Sequence, residues 1–136
     1  MDNKDVVKTE STNHGTHNTD LDLALIPTSP YYLHLGENPG LVLVSTNLND
    51  SNYPSWSRNM QRALLSKNKL KFVNGSIKTP LLNDPIYEAW ERCNVMILLW
   101  IMRVLSPDIA KSLLYIDSAK ELWEELKERF SQGDYF

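Results

Sequence analysis

The sequence predicts an all-α domain, a compact bundle of about four helices preceded by a short extended segment and a disordered N-terminal tail. Apolar residues recur at helical spacing in four stretches, and each stretch opens with a proline or a capping side chain. Only one short run favours a β-strand, so no sheet is expected. The chain has 136 residues, 42% of them hydrophobic, which is enough to bury one core.

Residues 1–28 are predicted to be a disordered polar tail, and residues 29–136 to be the helical domain. The tail is rich in Asn, Thr, Asp and Ser, and it has too few apolar residues to offset the entropy cost of ordering. It lacks the basic start and apolar centre of a signal peptide, and no apolar run in the chain is long enough to cross a bilayer. We therefore expect a cytoplasmic protein that does not bind membranes, and a nuclear location is also compatible.

The first part of the domain combines an extended segment with a helix. Residues 41–44 favour an extended conformation, which we expect to lie along the helices because no second strand is available to pair with it. The first helix is predicted to begin around Pro54, with Ser51 or Asn52 as its cap, and to end near Asn68. A turn at Asn-Gly, residues 74–75, is expected in the connection that follows.

The second helix has the longest apolar pattern in the chain. Asp84 supplies a side-chain cap and Pro85 a residue suited to the first turn. Every residue from 95 to 102 is apolar, so we expect this helix to be surrounded on nearly all sides and to form the centre of the domain.

Two shorter helices complete the prediction. The third is expected to begin at Ser106 and to direct Leu113 and Leu114 inward. The fourth is expected to begin with a capping box, in which the side chains of Ser118 and Glu121 satisfy backbone donors at the helix start. Gly133 is a candidate stop signal for this helix.

The four tryptophans are predicted to be core anchors, because each falls on an apolar helical stripe. Burial of such a large side chain contributes strongly to stability, and truncation typically costs about 3–5 kcal/mol. The core anchors are Trp56, Trp90, Trp100 and Trp123.

No arrangement of residues indicates catalysis, a cofactor or a metal site. The single cysteine, Cys93, lies on the apolar stripe of the second helix and is interpreted as a buried thiol rather than a nucleophile. The three histidines, His14, His17 and His34, lack the further ligands that a metal requires, and one cysteine cannot form a zinc knuckle. We therefore predict a non-enzymatic protein with no small-molecule substrate.

Charge is distributed unevenly along the chain. Between Asp50 and Asp84 there are six basic residues and no acid, whereas from Asp84 onward there are ten acids against six bases. The basic run, residues 58–78, is interpreted either as a solvated helix face or as a contact for RNA phosphates. A third interpretation is head-to-tail contact between copies, basic helix against acidic helix. The candidate contacts for nucleic acid or assembly are Arg58, Arg62, Lys67, Lys69 and Lys71.

Five stretches in order resemble a known family: NPGLVLVS, LNDSNYPSWSRNM, NKLKFVNGSI, DPIYEAWERCNVMILLWI and SPDIAKSLLYIDSAKELWEELKERFSQGD. Together they resemble the N-terminal Gag region of plant copia-type LTR retrotransposons, over about residues 31–134. The resemblance implies a capsid-type protein that self-associates into a virus-like particle and packages the element's RNA. Its implied partners are further copies of itself, full-length Gag and RNA.

The resemblance also implies that the family pattern would continue beyond GDYF, the last residues of the chain. Further capsid helices, a zinc knuckle, a protease, an integrase and a reverse transcriptase would follow in a full Gag-Pol. We therefore expect a truncated or host-retained copy of the element.

Overall fold

The computed structural model describes residues 23–131, which form four α-helices and one short 3-10 helix. Within these residues there is no β-strand, and one isolated bridge pairs Leu48 with Leu105. The all-α prediction is confirmed. Residues 1–22 of the predicted tail and Gly133 lie outside the described residues. The helices are α1 (Tyr53–Ser66), the 3-10 helix (Leu70–Phe72), α2 (Tyr87–Arg103), α3 (Pro107–Ser112) and α4 (Ala119–Phe130).

Helix α1 begins after Asn52, as predicted, but the Asn52 side chain does not cap it. The amide of Asn52 instead accepts a hydrogen bond from the N–H of Asn49 and donates one to the carbonyl of Asn47. The amide therefore holds the loop that enters the helix. Trp56 and Met60 lie on the buried face of α1, at helical spacing.

Helix α1 is followed, two residues after Ser66, by an asparagine in the left-handed conformation, Asn68, with φ 60°. The N–H of Lys69 donates to the carbonyl of Leu64 at 2.8 Å, and the N–H of Asn68 donates to the carbonyl of Leu65 at 3.0 Å. This is a Schellman termination, and asparagine is one of the few non-glycine residues that tolerate its geometry. The chain then turns directly into the 3-10 helix.

The predicted turn at Asn74 and Gly75 is confirmed. Gly75 has φ +88°, and the N–H of Ser76 donates to the side-chain oxygen of Asn74 at 2.9 Å. The turn directs the preceding residues, Phe72 and Val73, into the core. In the predicted extended segment, Leu41 and Leu43 are partly buried against the helices, so this segment lies along the core as expected.

Helix α2 lies at the centre and packs against α4. It begins at Tyr87, later than predicted, because Asp84 first forms a turn in which its carboxylate accepts the N–H of Ile86 at 2.9 Å. The expectation that α2 is surrounded on nearly all sides is wrong. Val95 is 44% exposed and Leu99 is 40% exposed, because no described element covers the face opposite the buried stripe.

Helices α3 and α4 follow the sequence pattern with one exception. Leu113 is buried, but Leu114 is 71% exposed, because α3 ends at Ser112 and the chain then leaves the helical direction. The prediction that Leu114 faces inward is therefore wrong. At the start of α4, the hydroxyl of Ser118 accepts the N–H of Glu121 at 3.2 Å, which is the serine half of the predicted capping box.

Candidate interaction surfaces

All four tryptophans lie in the core. The rings of Trp56 and Trp123 stack at 5.8 Å between centroids, which joins α1 to α4. Trp100 is completely buried, yet its indole N–H donates to the carbonyl of Asn38 at 2.8 Å. These side chains therefore supply both apolar volume and directional bonds.

Residues 28–40 form an irregular segment, here named the strap, whose carbonyl groups are bound by side chains of the helical core. The donors come from the end of α1 and from α2, so the strap is attached to two elements. The five bonds are Asn68 to Thr28 at 3.0 Å, Lys69 to Tyr32 at 2.7 Å, Cys93 to Tyr31 at 3.4 Å and to Pro30 at 3.9 Å, and Trp100 to Asn38 at 2.8 Å.

Lys69 lies beneath the strap rather than on the basic surface. Only 2% of the residue is exposed, and its ammonium donates to the carbonyls of Tyr32 and Lys67. Burial lowers the pKa of this ammonium, and neighbouring Lys67 lowers it further, whereas Cys93 and Glu37 oppose the shift. The sequence prediction that Lys69 is a candidate contact does not fit this placement, because a buried ammonium cannot reach a phosphate or a second copy.

Lys67 is also engaged within the domain. Its ammonium lies 2.8 Å from the carboxylate of Glu37 and 5.2 Å from the centroid of the Trp100 ring. Both charged side chains are mostly buried, at 24% and 14% exposure. Glu37 was not singled out from the sequence, because nothing local in the chain links it to a lysine thirty residues later.

Arg58 and Arg62 lie one turn apart on the exposed face of α1 and line an open groove of about 460 Å3. We name this the basic groove. No acidic residue occurs in residues 51–83, so its positive charge is not compensated by neighbours in sequence. Lys71 and Lys78 are exposed in the connection that follows. The other lining residues are Tyr53, Pro54, Ser57, Gln61, Leu65 and Leu70.

Four acidic residues follow one face of α4 and the turn before it, at spacings of three and four residues. All are exposed, and we name them the acidic stripe. One of them is paired within the domain, since Lys120 lies 3.1 Å from Glu124. The stripe consists of Asp117, Glu121, Glu124 and Glu128.

The exposed side of α2 forms an apolar ridge, made of Val95 and Leu99 and here named the α2 ridge. A groove of about 340 Å3 lies on one side of it, with Leu33, Pro39 and Met96 among its lining residues. The uninterrupted apolar run of residues 95–102 was a sequence signal for this surface. A helix that is apolar on every side has more apolar surface than a small domain can cover.

Within residues 23–131, no group of three or more His, Cys, Asp or Glu side chains could hold a metal ion. Cys93 is buried, and burial raises the pKa of its thiol to about 11 despite the opposing charges of Lys69 and Arg92. A thiol of this kind is protonated and unreactive at neutral pH. His34 is exposed and stacks edge-on against Tyr32. None of the helices in this part of the chain combines the length and hydrophobicity needed for a bilayer crossing.

Residues 34–81 match a family model, the Gag-polypeptide of LTR copia-type. Over these residues the chain is similar to copia-type Gag. The resemblance seen in the sequence is thereby confirmed over these residues. The chain matches no curated protein and no solved structure.

The matched region, residues 34–81, extends from the strap through α1 and the 3-10 helix to the connection before α2. It therefore contains Glu37, its partner Lys67 and the whole basic groove. The α2 ridge and the acidic stripe lie beyond the match, on helices that pack directly against the matched region.

Proposed function

We propose that this chain is a non-enzymatic, capsid-type assembly domain of a copia-type Gag. In this proposal it associates with further copies of itself, or with full-length Gag, to form a virus-like particle in the cytoplasm. The observation that supports the proposal is the presence of a basic groove and an acidic stripe on one small domain, with no residue shared between them.

Opposite charges on separate surfaces favour heterologous contact, in which the groove of one copy binds the stripe of the next. Such a contact leaves one free surface at each end, so it can continue into rings or open assemblies. Arg58, Arg62 and Glu121 form no ion pair within residues 23–131, so binding would not have to break an existing pair.

Sedimentation velocity over a wide concentration range, at low and high salt, tests this contact. We expect the average mass of the wild-type assemblies to increase reversibly with protein concentration at low salt. This mass should decrease at high salt, because salt screens the charges. Arg62→Glu and Glu121→Arg should each reduce the mass, because each places like charges in contact. A mixture of the two variants should regain mass, because the reversed groove of one fits the reversed stripe of the other.

Lys78→Glu is the matched control, since it reverses an exposed charge outside the groove and should leave assembly unchanged. A wild-type monomer at every concentration and salt would contradict self-association. Assembly that survives both charge reversals would show that other surfaces carry it.

A second candidate function is RNA binding by the exposed part of the basic run. Its support is that Arg58, Arg62, Lys71 and Lys78 are exposed in a stretch without acids. The affinity for single-stranded RNA should fall steeply with salt. Lys71→Gln should weaken binding and Lys69→Gln should not, because Lys69 is buried. A protein that stays monomeric alone and gains mass only with RNA would favour this function over self-assembly.

A further inference from the structure

The N-terminal segment, residues 1–22, carries the net negative charge of the whole chain. It contains five acids and two lysines, a net charge of -3, which leaves twelve acids and twelve bases for all the other residues. Asp20 and Asp22 are the two acids of this segment that lie nearest to the described residues in sequence, and they alternate with Leu21 and Leu23. An acidic segment that also carries leucines therefore directly precedes the described domain.

The chain enters the domain beside one end of the basic groove. The carbonyl of Thr28 accepts a hydrogen bond of 3.0 Å from the side-chain amide of Asn68. The N–H of Asn68 in turn donates to the carbonyl of Leu65 at 3.0 Å. Leu65 and Leu70, which lie on either side of Asn68 in sequence, both line the groove. Thr28 is therefore fixed at the C-terminal end of α1, where the groove begins.

Both acids can reach the arginines of the groove from this anchor. With a helical rise of 1.5 Å per residue, Arg62 and Arg58 lie roughly 9 and 15 Å from Asn68 along the axis of α1. Asp22 precedes Thr28 by six residues and Asp20 precedes it by eight. Segments of these lengths can span up to roughly 20 and 26 Å. The acids can therefore contact the arginines while the anchor stays in place.

The groove is chemically suited to this segment. Arg58 and Arg62 are exposed one turn apart, and in the part of the chain that the structure describes neither is in an ion pair. A guanidinium can bind a carboxylate through two parallel hydrogen bonds. Leu65 and Leu70 add apolar surface to the lining, next to which leucines of the segment can pack. The groove thus offers both kinds of contact that an acidic, leucine-containing segment requires.

We propose that the acidic N-terminal segment occupies the basic groove of the same chain. Asp22, which is nearer to Thr28 in sequence, pairs with Arg62. Asp20 pairs with Arg58. A tether of a few residues gives an effective concentration on the order of millimolar, so a free partner at micromolar concentration would have to bind roughly a thousandfold more tightly to compete equally. The segment is therefore a built-in competitor, which an acidic surface of another copy or an RNA phosphate must displace.

A nitroxide spin label attached through Thr16→Cys in the full chain tests the contact by NMR. Cys93 is buried and its thiol is protonated at neutral pH, so the label attaches to the new cysteine. We expect the backbone amide signals of residues 58–62 to lose intensity at low salt, because the label lies near the groove. About 1 M salt should restore most of the intensity, because a Debye length of about 3 Å screens the ion pairs. Signals that are unaffected at low salt, or weakened equally in 1 M salt, would overturn the proposal.

Charge removal in the labelled chain tests which acids carry the contact. Asp20→Asn together with Asp22→Asn should restore the amide signals at low salt as fully as salt does. Asp2→Asn together with Asp5→Asn is the matched control, since it removes the same two charges from the far end of the segment and should leave the signal loss unchanged. Equal effects of the two pairs would overturn the assignment to Asp20 and Asp22. The amide spectrum of each variant also shows whether the domain has kept its fold.

A mixture of two protein samples distinguishes a contact within one chain from a contact between copies. Nitrogen-15 protein without a spin label is combined with spin-labelled protein at natural isotopic abundance. A signal loss in this mixture as large as in the singly prepared sample would overturn the contact within one chain and assign the segment to a neighbouring copy.

The contact concerns a single copy and does not rest on the proposed self-association. A wild-type monomer with a salt-sensitive signal loss at residues 58–62 would support this inference and contradict self-association. An assembling chain whose groove signals are unaffected by the label would overturn this inference and leave the proposed function standing.

Discussion

The indole N–H of Trp56 donates a hydrogen bond of 3.0 Å to the carbonyl oxygen of Val104, at the end of α2. The same carbonyl accepts the N–H of Leu48 at 2.8 Å, and the N–H of Ser106 returns a bond of 3.0 Å to the carbonyl of Leu48. One carbonyl therefore joins α1, the segment before it and the end of the central helix.

Trp56→Phe should lower the free energy of unfolding by about 1–3 kcal/mol, because it removes the indole bond and part of the buried volume but keeps an aromatic ring. Trp56→Ala should lower the free energy of unfolding by about 3–5 kcal/mol, because it removes the whole buried ring. Urea unfolding followed by circular dichroism measures both values. Leu65→Ala, at an exposed position of the same helix, is the control and should change little. A phenylalanine variant as stable as wild type would show that the hydrogen bond contributes nothing.

Asn94 connects α2 to the start of α4. Its amide nitrogen donates to the carbonyl of Asp117 and its oxygen accepts the N–H of Ala119, both at 2.8 Å. Asn94→Leu should lower the free energy of unfolding by about 2–4 kcal/mol, because two backbone groups lose their partners. Urea unfolding gives the value, and Asn83→Leu in an exposed loop is the control. Equal stability of both variants would argue against this connection.

The ion pair between Glu37 and Lys67 should contribute more than an ordinary surface pair. A double-mutant cycle with Glu37→Gln and Lys67→Met should give a coupling energy of about 0.5–1 kcal/mol, because both side chains are mostly shielded from water. The exposed pair of Lys120 and Glu124 is the control and should give about 0.3–0.5 kcal/mol. If the coupling energy of Glu37 and Lys67 is no larger than that of the control pair, shielding from water does not strengthen this ion pair.

Cys93 should make stability decrease at alkaline pH. Burial raises the pKa of its thiol from 9.0 to about 11, so between these values the unfolded chain loses the proton and the folded chain keeps it. The stability due to the protonated thiol is complete below pH 9 and is lost as the pH rises through 11. The advantage of wild type over Cys93→Ala should therefore shrink by up to about 2–3 kcal/mol between pH 8 and pH 11. Urea unfolding in reductant at both pH values measures it, and a constant difference would contradict the shift.

The helices were predictable because their signals are local. Trp56, Met60 and Leu64 repeat at the helical period, and the capping serine Ser118 precedes its helix directly. The environment of Lys69 was not predictable in this way. A lysine in a basic run is ordinarily exposed, and its burial depends on the carbonyl of Tyr32, which lies 37 residues earlier in the chain. The strap is assembled from such distant pairs.

The exposed face of α2 was missed for a different reason. Every residue from 95 to 102 is apolar, so the pattern contains no polar side to mark the outside of the helix. Packing alone decides that Ile97 and Ile101 face the core and that Val95 and Leu99 face solvent. The same uniform pattern that obscured the orientation is what leaves an apolar ridge available for contact.

The joining of α1 to the end of α2 at Val104 also bears on folding kinetics. Trp56 lies 48 residues from Val104, and Asn38 lies 62 residues from Trp100. Contacts between distant residues require the closure of long loops before any energy is gained, which slows folding. We therefore expect this domain to fold more slowly than helical bundles of similar size whose contacts are local. During synthesis, the strap and α1 leave the ribosome before α2, which supplies the Trp100 donor for the strap and the Val104 carbonyl for Trp56, so neither can complete its docking until α2 has been made.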